Sequence, residues 1–269
     1  MLRAFLDAST AGNPPILAVA GFVARLDGWS TFQREWRKAR AQAGIEYFHT
    51  TDFMSPNGRP YNAWSPQKRA AVFNRLVGLI NRCVEFGVAV SLNVADYRQL
   101  VETGHALPNK PYRLCVGQCV ALVAKTLTDL KVNDRVMYVF DAGDDGAKAF
   151  KTTMAMVIPA SEKFREVAKI YGIRPGRKRN LPAIDAADLL AWHFSHHVPG
   201  ATPETTTPPS LMRLVTKPVF HRYWGAVSLE RWGIGNTPEQ QRAIAAMFGV
   251  RLRAKMGKQR KRRGPFASA

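Results

Sequence analysis

Hydrophobic and polar positions along the chain follow two rhythms. Residues 2–9 (LRAFLDAS) and 16–25 (ILAVAGFVAR) are β-rich runs separated by Gly12, Asn13, Pro14 and Pro15, a turn cluster that predicts an antiparallel hairpin. The period then lengthens: Ser30 can cap a helix running to about Ala43, with Phe32, Trp36 and Ala39 on one buried face. Residues 46–64 (EYFHTTDFMSPNGRPYNAW) break both rhythms. A loop of that length is usually functional or disordered, and its interleaved aromatics argue for order. Ser65-Pro66 opens a helix through about Glu85, followed by a strand at 87–94 (GVAVSLNV). A helix at about 111–130 comes next, its Leu114, Cys115, Gln118, Leu122 and Leu130 marking a mostly apolar barrel. The pattern continues with strand 135–141 (RVMYVFD), helix about 146–158, strand about 164–171 (FREVAKIY) and helix about 183–197 (AIDAADLLAWHFSHH). Residues 198–210 are a Pro/Thr-rich linker or surface loop. The stretch 211–235 is aromatic-rich and ambiguous, and Thr237-Pro238 starts a last helix leading into the C-terminal tail.

With a two-helix insertion at about 28–86 set aside, the order is βββαβαβα. That is the order of the ribonuclease H-like fold, and it predicts an α/β domain over residues 1–197 with a mixed sheet flanked by helices. Residues 211–269 would form a basic extension. The 269 residues, 46% hydrophobic and 22% charged, exclude a disulfide-stapled miniprotein and wholesale disorder. Cys83, Cys115 and Cys119 are odd in number and form no CxxC pair, so they read as reduced, partly buried thiols of a cytoplasmic protein. Asp7 interrupts the N-terminus before an apolar signal region could form. The longest apolar run, Ile16 to Ala24, is too short to span a bilayer, so no membrane partner is expected.

Charge sharpens the picture. Lys+Arg 39 against Asp+Glu 20 gives a net charge of +19, which favours a polyanionic partner, nucleic acid (RNA or DNA) before an anionic membrane surface. Between Arg251 and Arg263 there are eight basic residues, Arg260, Lys261, Arg262 and Arg263 among them, and no acid. This run resembles a nucleic-acid-binding arm, although charge runs are often merely solvated. A second basic stretch, Arg174, Arg177, Lys178 and Arg179, lies just before the helix at 183–197. It is either a solvated loop or a clamp on substrate phosphates.

Chemistry is suggested by acids in places that local propensity disfavours. Asp7 and Asp141 stand near the ends of strands, where aspartate is depleted and where α/β sheets put their ligands. Asp141 could instead cap a turn in Asp141-Ala142-Gly143-Asp144-Asp145. Asp185 and Asp188 share one face of an otherwise apolar helix. The helix dipole excuses Asp185 in the first turn but not Asp188. Buried carboxylates of this kind suit Mg²⁺ or Mn²⁺, which take hard oxygen ligands and can serve phosphodiester hydrolysis. His193, His196 and His197 lie at a helix end, where imidazolium would suit the negative end of the dipole. They make a weaker case for zinc, because no Cys or Glu completes a tetrahedral set.

The FLDAST opening, the FHTTDF segment, the strand ending in Asp141 and LPAIDAADLLAWHF together resemble the bacterial and phage family catalogued as domain of unknown function 3800, over about residues 2–197. The family shows an (F/Y)-(I/V)-D-E-S-G-like opening, an H-x-x-(D/E)-like element and a closing L-Q-x-A-D-L-(L/I)-A-like helix. The resemblance implies a ribonuclease H-like nuclease. Asp7 would match the first acid, His49 and Asp52 the middle element, Asp141 the strand-end acid and Asp188 the last Asp. Ala8 stands where the family usually has Glu, and Asp185 where it usually has Gln. The helix expected to carry the ribonuclease H glutamate has Gln118 and Asp129 but no Glu. The expected function is therefore a divalent-metal-dependent nuclease. Asp7, Asp141 and Asp188 would hold metal, and Asp185, Asp52 and His49 would act as further ligand, proton-transfer group or substrate contact. The alternative is a non-catalytic nucleic-acid-binding or partner-binding module on the same fold.

Overall fold

The structure is a computed structural model that describes residues 1–105, 107, 110–141, 166–197 and 216–229. The N-terminal hairpin forms as expected: β1 (Leu2–Ala11) pairs antiparallel with β2 (Ile16–Arg25) over the whole length of both strands. Helix α1 (Leu26–Ala43) follows without a break. Ser30 is not its cap, contrary to expectation; its hydroxyl donates to the Leu26 carbonyl within the helix. The helix starts earlier because Trp29 is buried and donates its indole N–H to the Arg3 carbonyl, fastening the first turn to β1.

The irregular stretch at 46–64 is ordered by its aromatics. It holds the short helix α2 (Thr50–Met54) and a 3₁₀ turn at Tyr61–Ala63. Phe48, Phe53 and Tyr61 pack edge to face or tilted against one another, the separation that suits ring quadrupoles. The return of the chain requires Gly58, where an added Cβ would sit 1.9 Å from the Asp52 carbonyl oxygen.

Helix α3 (Pro66–Cys83) is capped by Ser65, whose hydroxyl accepts from the Lys68 N–H. Strand β3 (Phe86–Asn93) pairs antiparallel with β2. Helix α4 (Val94–Glu102), capped by Asn93, was not expected from the sequence. Helix α5 (Pro111–Asp129) matches expectation except that Leu130, placed on its barrel, is its exposed C-cap. Strand β4 (Val136–Asp141) runs parallel to β1. The helix expected at 146–158 lies outside the described residues, as do the helix from Thr237 and the basic tail.

The strand expected at 164–171 is displaced. Strand β5 is Ile170–Gly176, preceded by a turn in which Lys169 has φ 51°. Pro175 and two glycines hide it from propensity reasoning. They are tolerated because β5 pairs only with β4, at the edge of the sheet. Helix α6 (Ala183–His196) agrees with expectation. The sheet does not end with the segment 1–197: β6 (Val219–Trp224) adds in parallel to β3.

The result is an α/β fold with a mixed six-stranded sheet, order β5-β4-β1-β2-β3-β6, covered by helices on both faces. Alternate residues of each strand feed two cores. Leu2, Ala4 and Leu6 of β1 join α4 and α5 on one face, whereas Phe5 joins α1, α3 and α6 on the other. Among the described residues no helix is long and apolar enough to cross a membrane.

Candidate functional site

Asp7 follows Leu6 in β1 and so faces the α6 side, where its carboxylate is buried, 1% exposed. Helix α6 lies across that face and brings in Asp188, also buried. The two carboxylates converge on one cation: the Lys178 ammonium lies 2.9 Å from Asp7 Oδ2 and 3.1 Å from Asp188 Oδ1. Burial works against the charge on Lys178, but the two carboxylates outweigh it and raise its pKa above the ordinary lysine value. The other oxygens are also engaged. Asp7 Oδ1 accepts from the Ala8 N–H at 2.8 Å, and Asp188 Oδ2 from the Thr50 N–H at 2.7 Å.

Asp185, one turn earlier on α6, has a different task. Its Oδ2 accepts from the Trp36 indole at 2.8 Å, the Arg40 guanidinium at 3.1 Å and the Phe48 N–H at 3.2 Å. It thereby pins α1 and the 46–49 segment to α6. Burial pushes its pKa up, to about 7, against the opposing pull of Arg40 and the hydrogen bonds. Arg40 reaches onward to the carbonyls of Lys178 and Arg179, and Arg37 to that of Asn180, so the turn bearing Lys178 is tied to α1. Sequence reasoning overlooked Arg40, although a signal existed. It follows Phe32 and Trp36 at four-residue spacing, a cation in an apolar stripe.

Asp141 ends β4. Leu6 pairs with Phe140 in the parallel ladder, so Asp7 and Asp141 are the next residues of adjacent strands, about 5 Å apart at the backbone and on the same face. Among the described residues no three His, Cys, Asp or Glu side chains gather closely enough to hold a metal ion. The pair of Asp7 and Asp188 is what converges. Its hard oxygens, already focused on a cation, fit Mg²⁺ or Mn²⁺ chemically, and Asp141 stands opposite Asp7 in strand register.

His49 and Asp52 pair with each other, Nδ1 to Oδ2 at 2.8 Å, one residue from the Thr50 N–H that holds Asp188. They line a cavity of about 190 Å³ together with Tyr47, Arg59 and Tyr61. Of the basic stretch, Arg174 lies on β5, Arg177 and Arg179 are exposed, and Arg179 pairs with Glu46 at 3.2 Å. Lys178 points inward to the acids. Arg260, Lys261, Arg262 and Arg263 lie outside the described residues.

Three other candidates lie apart from this pair or are changed by burial. Gln118 accepts from Arg222 at 2.8 Å, and exposed Asp129 pairs with Lys125; both belong to α5, which packs on the sheet face opposite Asp7. His193 is fully buried, and that burial lowers its pKa to about 4, so the imidazolium expected at the helix end does not form near neutral pH. Desolvation outweighs the helix dipole. Compared with known proteins, the chain matches no family model and no curated protein sequence.

Proposed function

We propose that the chain is a ribonuclease H-like phosphodiester hydrolase acting on nucleic acid, of the kind its resemblance to the domain of unknown function 3800 family implies. The observation that carries this reading is the convergence of Asp7 Oδ2 and Asp188 Oδ1 on one cation; Asp7 stands in the middle of β1 rather than near its end as expected, beside the point where β4 ends. Strand order supports it too: three antiparallel strands followed by two parallel to β1 on its other side are what the βββαβαβα order calls for.

Asp7, Asp188 and Asp141 would hold Mg²⁺ or Mn²⁺. When bound, such an ion stabilises the charge that develops on phosphodiester oxygens during displacement. The remaining roles fall to side chains. Asp52 holds His49 through Nδ1, which would leave Nε2 for proton transfer to or from a bound substrate. Asp185 positions α6 through its grip on Arg40, Trp36 and Phe48. Arg177 and Arg179, with the basic tail, attract the phosphate backbone.

The test is Mn²⁺-dependent cleavage of single-stranded, duplex and hybrid substrates. Asp188→Asn should abolish cleavage and leave binding nearly intact, because binding rests on the cations. A second reading, a nucleic-acid-binding module without catalysis, draws on Lys178 standing between the acids. Binding without cleavage of any substrate by the unmodified protein would favour it.

A further inference from the structure

Lys178 is buried more deeply than a phosphate-clamp residue needs to be, and less deeply than its partners. Its side chain is 16% exposed, against 2% for Asp7 and 6% for Asp188. Two buried carboxylates side by side demand positive charge, and Lys178 supplies it to both at once. Comparison with Arg40 is instructive. Its guanidinium is 7% exposed and bonds to Asp185 and two carbonyls, a fixture held from several directions. Among the described residues the Lys178 ammonium is held by the two carboxylates, on a flexible four-carbon stem. Its backbone does not depend on that grip, since Arg40 and Arg37 hold the carbonyls of residues 178 to 180 from α1. The side chain can leave while the turn stays. Its sequence neighbours Arg177 and Arg179 are exposed.

We propose that Lys178 is an exchangeable cation, which neutralises Asp7 and Asp188 in the resting protein and swings onto a phosphate of the bound strand when a divalent ion takes its place. The inference rests on the metal-dependent reading above and adds a substrate-positioning residue to it. It accounts for a basic stretch being threaded directly into an acidic pair. Divalent charge matches the two carboxylates better than one ammonium does, and the displaced lysine joins the two arginines where the substrate backbone arrives.

The experiment measures Mn²⁺ binding by calorimetry in the full-length protein, its Lys178→Gln and Lys178→Arg variants, and Asp188→Asn as the control. Lys178→Gln should bind Mn²⁺ about tenfold more tightly than the unmodified protein, having no ammonium to displace, whereas Lys178→Arg should not bind it more tightly. With Mn²⁺ present, Lys178→Gln should bind a non-cleavable oligonucleotide more weakly. The slope of log affinity on log salt should fall by about 0.7–0.9, one phosphate contact. A measurement on the unmodified protein covers the case in which the variants do not fold: acylation of Lys178, followed by peptide mass spectrometry, should be slow without metal and several-fold faster with Mn²⁺ bound. If Lys178→Gln binds Mn²⁺ no more tightly while Asp188→Asn abolishes binding, or if Lys178 stays protected with Mn²⁺ bound, the exchange is refuted and the metal site stands. If the unmodified protein and both Lys178 variants all fail to bind Mn²⁺, the metal-dependent reading falls, and the exchange with it.

Discussion

The two faces of the sheet are built from the same strands and filled in opposite ways. Under α4 and α5 the core is made of Leu, Val, Tyr and Cys side chains, and its sulfhydryls are sealed in. Under α1 and α6 the core is as large but holds Asp7, Arg40, Asp185 and Asp188, all the buried Asp and Arg residues among those described. Burying a charge costs several kcal/mol unless it is paired, so their concentration on one face is not a packing solution. On that face two acids one helical turn apart divide the labour. Asp185 accepts three donors on Oδ2, with Oδ1 buried and unpartnered, and holds elements together, whereas Asp188 shares a partly exposed lysine with Asp7. The first acid is tied to donors on two other segments of the chain; the second shares its counter-ion with an acid on another element.

The largest test of this contrast is Asp185→Ala. It leaves Arg40 buried without its carboxylate and should cost about 3–5 kcal/mol in chemical denaturation. A loss below about 1 kcal/mol would mean that the ion pair does not hold the face together. The counterpart on the apolar face, Leu114→Ala in α5, should cost about 2–5 kcal/mol through the cavity it leaves, with no effect on any metal response.

Acid sensitivity should also belong to one face. His193 on α6, and His221 on β6, where it bonds to Ser91 and packs on Phe194, are both lowered to about 4 by burial, His193 with help from His197 and His196. Because the folded-state values lie below the ordinary 6.5, the unfolded chain takes up protons first. Their stabilising contribution is complete above about pH 6.5 and is lost as pH falls toward 4, at up to about 3 kcal/mol per histidine. Melting curves from pH 7.5 to 4.5 should show the fall, and His193→Leu should flatten it; an equally steep fall in that variant would assign the sensitivity elsewhere.

The smallest effect is expected under α5. Burial pushes the Cys115 and Cys119 thiols up, and the Cys119 Sγ–H donates to the Val19 carbonyl. Iodoacetamide at pH 8 should leave both unlabelled in the native protein and label them on unfolding. Rapid native labelling would show that the apolar face opens readily.

What could be read from the sequence was local. The hairpin declares itself through its turn cluster, α3 through Ser65-Pro66, and α5, β4 and α6 through periodicity, because each signal spans a few residues. Asp7, Asp185 and Asp188 stood out for the same reason, as acids against the grain of their own elements. Tertiary structure decided the rest. Strand β5 is a strand because β4 offers it an edge, despite Pro175 and its glycines, and β6 depends wholly on β3. Which acid is pinned and which is open follows from partners far along the chain: Arg40 and Asp185 are 145 residues apart, and Lys178 comes to Asp7 only once β5 and α6 are docked. His193 likewise has an ordinary sequence context but a neutral ring, because burial, which no short stretch of sequence encodes, outweighs the helix dipole.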